Sequence, residues 1–148
     1  MNIKAVFLEN PLTKNANLND YKSYFLNYKD EDWEYSNSGS FEYNRNDGQK
    51  IILFFVNYIN HGFSFRYDYN IPNAREGQSW YSVNDKSSMD IIVDAGDETL
   101  IPQGSCLSLK LAWEIICDFF ENPNQKSNKT SWMNSNQIDW SDAESKYW

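Results

Sequence analysis

The run NRNDGQKIILFFVNYINHGFSFRYDYN, residues 44 to 70, restricts the fold more than any other part of this chain. Asn46-Asp47-Gly48 stands between two strand-like runs, and these residue types tolerate the left-handed backbone that a tight hairpin needs. Ile51 to Tyr58 is apolar on both faces, the pattern of a central strand covered from two sides. In GFSFRYDYN the aromatics Phe63, Phe65, Tyr67 and Tyr69 recur with period two, which predicts a further strand with one buried face. The pieces together predict an antiparallel meander.

The flanking segments extend it. NIKAVFL, residues 2 to 8, reads as a strand stopped by Pro11, and residues 80 to 85 and 88 to 95 read as two short strands, with Thr99 to Pro102 closing the sheet region. Two helices are predicted. Leu18, Tyr21, Phe25 and Tyr28 recur at helical spacing over residues 18 to 28, thickened by Tyr24, with Asn17 or Asn19 as N-cap. Over residues 107 to 121, Leu109, Ala112, Trp113, Ile116, Phe119 and Phe120 form an apolar stripe opposite Lys110, Glu114, Asp118 and Glu121. Ser105 or Ser108 caps this second helix and Asn122-Pro123 ends it. The expectation is an α+β fold in one domain, residues 1 to 148, with an antiparallel sheet of about five or six strands and two main helices packed on it. Trp113, Ile116 and Phe120 are expected in the core, and residues 122 to 148 are expected to be loop-rich, with Trp132 as their anchor. A chain of 148 residues suits one such core.

Charge narrows the function classes. Against 13 Lys and Arg stand 21 Asp and Glu, a formal net charge of −8, so nucleic acid and anionic membranes are disfavoured as partners and a basic protein is favoured. The opening MNIKAVFLENPL lacks the apolar length and cleavage site of a secretory signal, and no run approaches the roughly 18 apolar residues of a membrane span. The cytoplasm is therefore expected. About ten residues of helix would hold Cys106 and Cys117 roughly 15 Å apart, too far for a disulfide, so both are expected reduced.

The equipment of catalysis is sparse. His61, the single histidine, precedes Gly62 at a turn, and no glycine-rich phosphate loop or calcium-loop spacing occurs. No metal or cofactor is expected, and the chain is expected not to be an enzyme. Acidic groups at Asp30-Glu31-Asp32-Trp33-Glu34, at Asp90, Asp94, Asp97 and Glu98, and at Asp139, Asp142 and Glu144 fit solvated surface or a protein interface. Trp80 and Trp113 fit the core, whereas Trp33, Trp132, Trp140 and Trp148 sit among polar or acidic neighbours, where tryptophan serves either as a loop anchor or as an interface residue.

Residues 80 to 133 carry a resemblance. A strand ending at Ile101-Pro102, a helix with Ala112 and Phe119-Phe120, a polar turn with Pro123 and a closing Trp132 resemble the C-terminal signature of the Imm1 family of bacterial immunity proteins, and MDIIVDAGDETLIP resembles that family's last hairpin. The interval ENPNQKSNKTS departs from the pattern, since it lacks the usual Gly. The resemblance implies an inhibitor that binds and neutralises a cognate toxin domain of a polymorphic-toxin or contact-dependent inhibition system. A basic nuclease or deaminase with a cleft for nucleic acid would suit an acidic inhibitor that covers its active site. The alternative is a non-catalytic adaptor or effector-chaperone-like module. Two groups combine charge with an aromatic and are the predicted toxin-binding residues: Asp30, Glu31, Asp32, Trp33 and Glu34, and Asp139, Trp140, Asp142 and Glu144.

Overall fold

The computed structural model describes residues 2–8, 10–70 and 77–147. The predicted meander forms its centre. Strands β2 (Ser38–Asn44), β3 (Lys50–Tyr58) and β4 (Gly62–Asn70) pair antiparallel in sequence order, with Phe41 opposite Leu53 and Phe55 opposite Phe65. Gly48 takes φ 86° in the first turn, and Arg45 N–H donates to the Gln49 carbonyl to close it. β1 (Ile3–Phe7) pairs with β2, and β5 (Gln78–Val83) pairs with β4. The chain after β1 folds back along its outer edge, where Ala5 and Thr13 exchange both backbone hydrogen bonds.

The remaining strands revise the expectation. β6 (Ile92–Asp94) and β7 (Leu100–Pro102) form a separate two-stranded hairpin rather than joining the main sheet. The short β8 (Cys106–Leu107) continues the line of β5 along β4. Residues 122 to 147 are more ordered than the loop-rich segment expected over 122 to 148: β9 (Ser131–Asn134) pairs with β5 and completes a seven-stranded antiparallel sheet among the described residues, and α3 (Ser141–Tyr147) follows. Trp132 is the anchor expected of it. Its ring meets Tyr67 edge-on at 6.2 Å, and its Nε1 donates to the Ser127 carbonyl at 2.8 Å.

Two helices lie on one sheet face. The first is shorter than residues 18 to 28: a 3-10 turn at Leu18–Asp20 precedes α1 (Lys22–Leu26), with Asn17 capping the turn. Asn, Asp and Tyr are weak helix formers, so packing rather than propensity holds this segment, through buried Tyr21 and Phe25. α2 (Leu109–Glu121) begins at Ser108, whose hydroxyl accepts from Leu111 N–H. Its buried line is Ala112, Ile115, Ile116 and Phe119. Ile116 is therefore in the core as expected, while Trp113 and Phe120 flank that line and are half-buried. Trp113 stacks on Phe25 at 5.6 Å, and Phe120 meets Phe41 edge-on at 5.1 Å.

The other sheet face is covered in part. Val56, Ala95, Ile101 and Cys106 form one apolar cluster beneath the β6–β7 hairpin, and Tyr81, Met89, Ile92, Ile138 and Ala143 form another beneath α3. Between them lies a buried serine network: the Ser64 and Ser105 hydroxyls share a 2.6 Å hydrogen bond, and Ser82 donates to the Ser105 carbonyl at 2.7 Å. Buried hydroxyls need such partners. Among the described residues no helix is long and apolar enough to cross a membrane.

Candidate protein-binding face

The first acidic group occupies a 3-10 turn, Asp30–Trp33, that links α1 to β2. Asp30, Glu31 and Asp32 are exposed, but Trp33 turns inward. It is only 1% exposed and packs against Phe63 at 5.1 Å, Phe7 and Phe25 at 5.7 Å and Phe55 at 6.2 Å. The expectation that Trp33 offers an outward contact is thus corrected. In a four-residue turn one apolar side chain is enough to dock the segment, while its charged neighbours stay in water. The exposed aromatic here is the next one along, Tyr35, at 84%.

The structure brings this turn to the tip of the β6–β7 hairpin, some sixty residues away in sequence. Asn37 makes the connection: its Nδ2 donates to the Ala95 carbonyl at 2.6 Å and to the Asn57 carbonyl at 3.1 Å. Between the two segments lies a cleft of about 370 Å³, lined by Trp33, Glu34, Tyr58, Ile59, Asp94 and Asp97 among others, with no Lys or Arg in its wall among the described residues. Asp30, Glu31, Asp32, Glu34, Asp94, Asp97 and Glu98 form no salt bridge with any described residue. The hairpin tip is strained. Asp97 and Glu98 both adopt positive φ, 52° and 60°, a region that costs a non-glycine residue on the order of 1–2 kcal/mol. Local backbone preference alone would favour Asn-Gly at such a turn.

The second group is built differently. The Asp139 carboxylate accepts from Ser141 N–H at 3.0 Å, and that backbone bond with the Ser141 hydroxyl holds it below the ordinary carboxylate range. Asp142 pairs with Lys146 at 2.8 Å and accepts from Ile92 N–H at 2.8 Å, which likewise lowers its pKa. Trp140 packs on Tyr81 at 5.6 Å, and its Nε1 donates to the Ser135 carbonyl at 3.1 Å. These residues fasten α3 to the β6–β7 hairpin. Asp90 joins them by accepting from Asp139 N–H at 2.9 Å. The acidic set of Asp90, Asp94, Asp97 and Glu98 is therefore split between the two ends of its own hairpin. Glu144 is exposed and without an ion pair among the described residues, and Trp148 lies outside them.

Asn57 does not stand out in the sequence, and Tyr28 does so only as a member of the helical stripe, although it lies beyond the end of α1. Ile51, Leu53 and Phe55 point into the core from alternate positions of β3, and Asn57, next in that series, is only 3% exposed. Its Nδ2 donates to the Tyr28 hydroxyl at 2.8 Å. The available signal was this one polar residue interrupting an apolar alternation. Both cysteines are free, and burial pushes the Cys106 thiol up to about 11. Among the described residues no group of three or more His, Cys, Asp and Glu is arranged to hold a metal ion. Comparison with family models, with curated proteins and with solved structures found no match.

Proposed function

We propose that this chain is a non-enzymatic inhibitor in the cytoplasm, which binds a basic toxin domain and covers the cleft with which that domain holds nucleic acid. The observation that carries the binding part is the meeting of Trp33 and Glu34 with residues 94–97 around one cleft that has no cation in its wall among the described residues. Carboxylates gathered from two distant segments without counter-charges among the described residues repel one another, and a cationic surface relieves that repulsion. Charge of one sign also speeds encounter with an oppositely charged partner. Tyr35, Tyr58 and Ile59 supply area that loses water on contact, the role aromatic and apolar residues play at interface centres. The toxin part rests on the sequence resemblance of residues 80 to 133. In this reading Asp139, Trp140 and Asp142 serve the fold, and Glu144 lies outside the docking face.

The test is co-expression with the C-terminal domain of the protein encoded by the adjoining reading frame, scored for growth and for co-purification. The expected result is rescue of growth together with a complex that weakens as salt rises. Binding without rescue favours the adaptor reading, and absence of both overturns the proposal.

A further inference from the structure

At Asp30, the first residue of the Asp30–Trp33 turn, lies a second, smaller cavity of about 180 Å³, walled by Tyr28, Phe63 and Leu109 and edged by Asp30, Asn57 and Asn60. Its volume is below the roughly 300–1,000 Å³ of sites for drug-sized ligands and suits a single side chain. The walls are apolar, with Leu109 itself 37% exposed at the start of α2. Gly62 forms part of the floor because φ +121° and the nearby Leu107 carbonyl leave no place for a Cβ.

The polar groups of this cavity are set in order. Asn57 donates to Tyr28 through Nδ2, its backbone N–H donates to the Asn37 carbonyl at 2.7 Å, and its own carbonyl accepts from Asn37. Its Oδ1 accepts no hydrogen bond from any described residue and is not among the atoms sealed from solvent, so it opens into the cavity. An accessible amide oxygen with no protein donor is an acceptor free for the donor of a ligand. The Asp30 carboxylate stands at the rim with no ion pair among the described residues. Burial, with Asp30 beside it, holds the Tyr28 phenol above its ordinary value, so the hydroxyl stays protonated.

We infer that this cavity receives an arginine side chain of the basic partner. Its apolar walls take the methylene stem, and the guanidinium donates to the Asp30 carboxylate and to Asn57 Oδ1. Arginine supplies several donors in a fixed fork, so one group answers both acceptors, whereas lysine presents a compact point charge. Lys29 and Lys110, the neighbouring cations in sequence, do not line the cavity. The amino end of α2 opposes a cation with about half a charge, which the full charge of Asp30 outweighs. The inference rests on the proposed binding of a basic protein and names the residue that such a partner inserts.

The experiment titrates the full chain with N-acetyl-arginine methylamide, and with its neutral citrulline counterpart, followed by amide shifts in NMR. Saturable shifts at Asn57, Asn60 and Gly62 are expected for arginine, with citrulline binding about tenfold more weakly. Asp30→Asn and Asn57→Leu should each reduce arginine affinity by a similar factor while keeping a cooperative thermal melt. Equal binding of the citrulline compound, shifts spread over all acidic segments alike, or no saturable shift at these residues overturns the assignment. The wild-type comparison needs no variant to fold. No toxin is present either, so failure here leaves the proposed inhibition standing, and an arginine site in a chain that binds no toxin removes only the latter.

Discussion

Trp33 gives the sharpest separation between a core and a contact role. Burying an aromatic side chain removes roughly 150–250 Å² from water. At about 25 cal/mol per Å² this is roughly 4–6 kcal/mol, reduced by about 10–40% because unfolded chains are partly compact. Trp33→Ala is therefore expected to cost about 3–5 kcal/mol, in line with other buried aromatic truncations. Trp33→Phe should behave differently. The indole Nε1 is the one buried side-chain polar atom without a hydrogen-bond partner among the described residues, and an unpaired buried donor costs about 1–3 kcal/mol. Removing it offsets much of the lost ring area, so the net change should stay under about 1.5 kcal/mol. Urea titration followed by circular dichroism measures both. With a slope of about 2 kcal/mol per molar, the alanine variant moves the midpoint by about 1.5–2.5 M. A loss under about 1 kcal/mol would mean that the Asp30–Trp33 turn is not docked on the sheet. Equal losses for the two variants would mean that Nε1 has a partner.

The hairpin tip predicts an opposition between stability and binding. Replacing Asp97-Glu98 by Asn-Gly should stabilise the fold by about 1 kcal/mol in the same titration, since both residues adopt left-handed backbone, yet slow association with the partner by removing two carboxylates. Asp142 has its pKa lowered in the folded state, so its contribution is fully present above the ordinary value of 3.8 and is lost as pH falls through the lower folded value. The protection of α3 amides, taken relative to the intrinsic exchange rate at each pH, should accordingly fall at acid pH, and Asp142→Asn should abolish that dependence. Cys106 should resist iodoacetamide in the native state at pH 8 and react on unfolding, because its thiol is pushed up to about 11. Rapid native alkylation at Cys106 would contradict its buried position.

Elements with a long period were legible and short ones were not. The β2–β3–β4 meander and α2 each present many residues to one surface, so their alternation or helical stripe stands out before any contact is known. β6 and β7 have three residues each, too few for alternation to say which sheet they join. β9 is a four-residue strand in a Ser- and Asn-rich stretch, fixed by the free edge of β5 and by Trp132 on Tyr67. The same limit applies to the candidate site. Its acids were visible as charge, but their grouping depends on Asn37 reaching Ala95, a contact between residues 58 positions apart. Three of the four residues in the Asp30–Trp33 turn are charged, which makes Trp33 look outward-facing in sequence although it is buried.

The placement of β9 on the outer side of β5 has a consequence in time. β1 to β4 occupy the first 70 residues, so their mutual pairing is complete by then, and the core face they share waits only for α2 to cover it. Tyr81, Met89 and Ile92, by contrast, wait for Ile138 and Ala143 to cover them. At about 5–20 residues per second, ribosomal synthesis leaves that second apolar face open for about 1–4 s after α2 has closed the first. The stretch that carries Ile138 and α3 thus ends the exposure of this second face to aggregation, and a nascent chain halted between residues 122 and 130 should be a better chaperone substrate than one extended past residue 147.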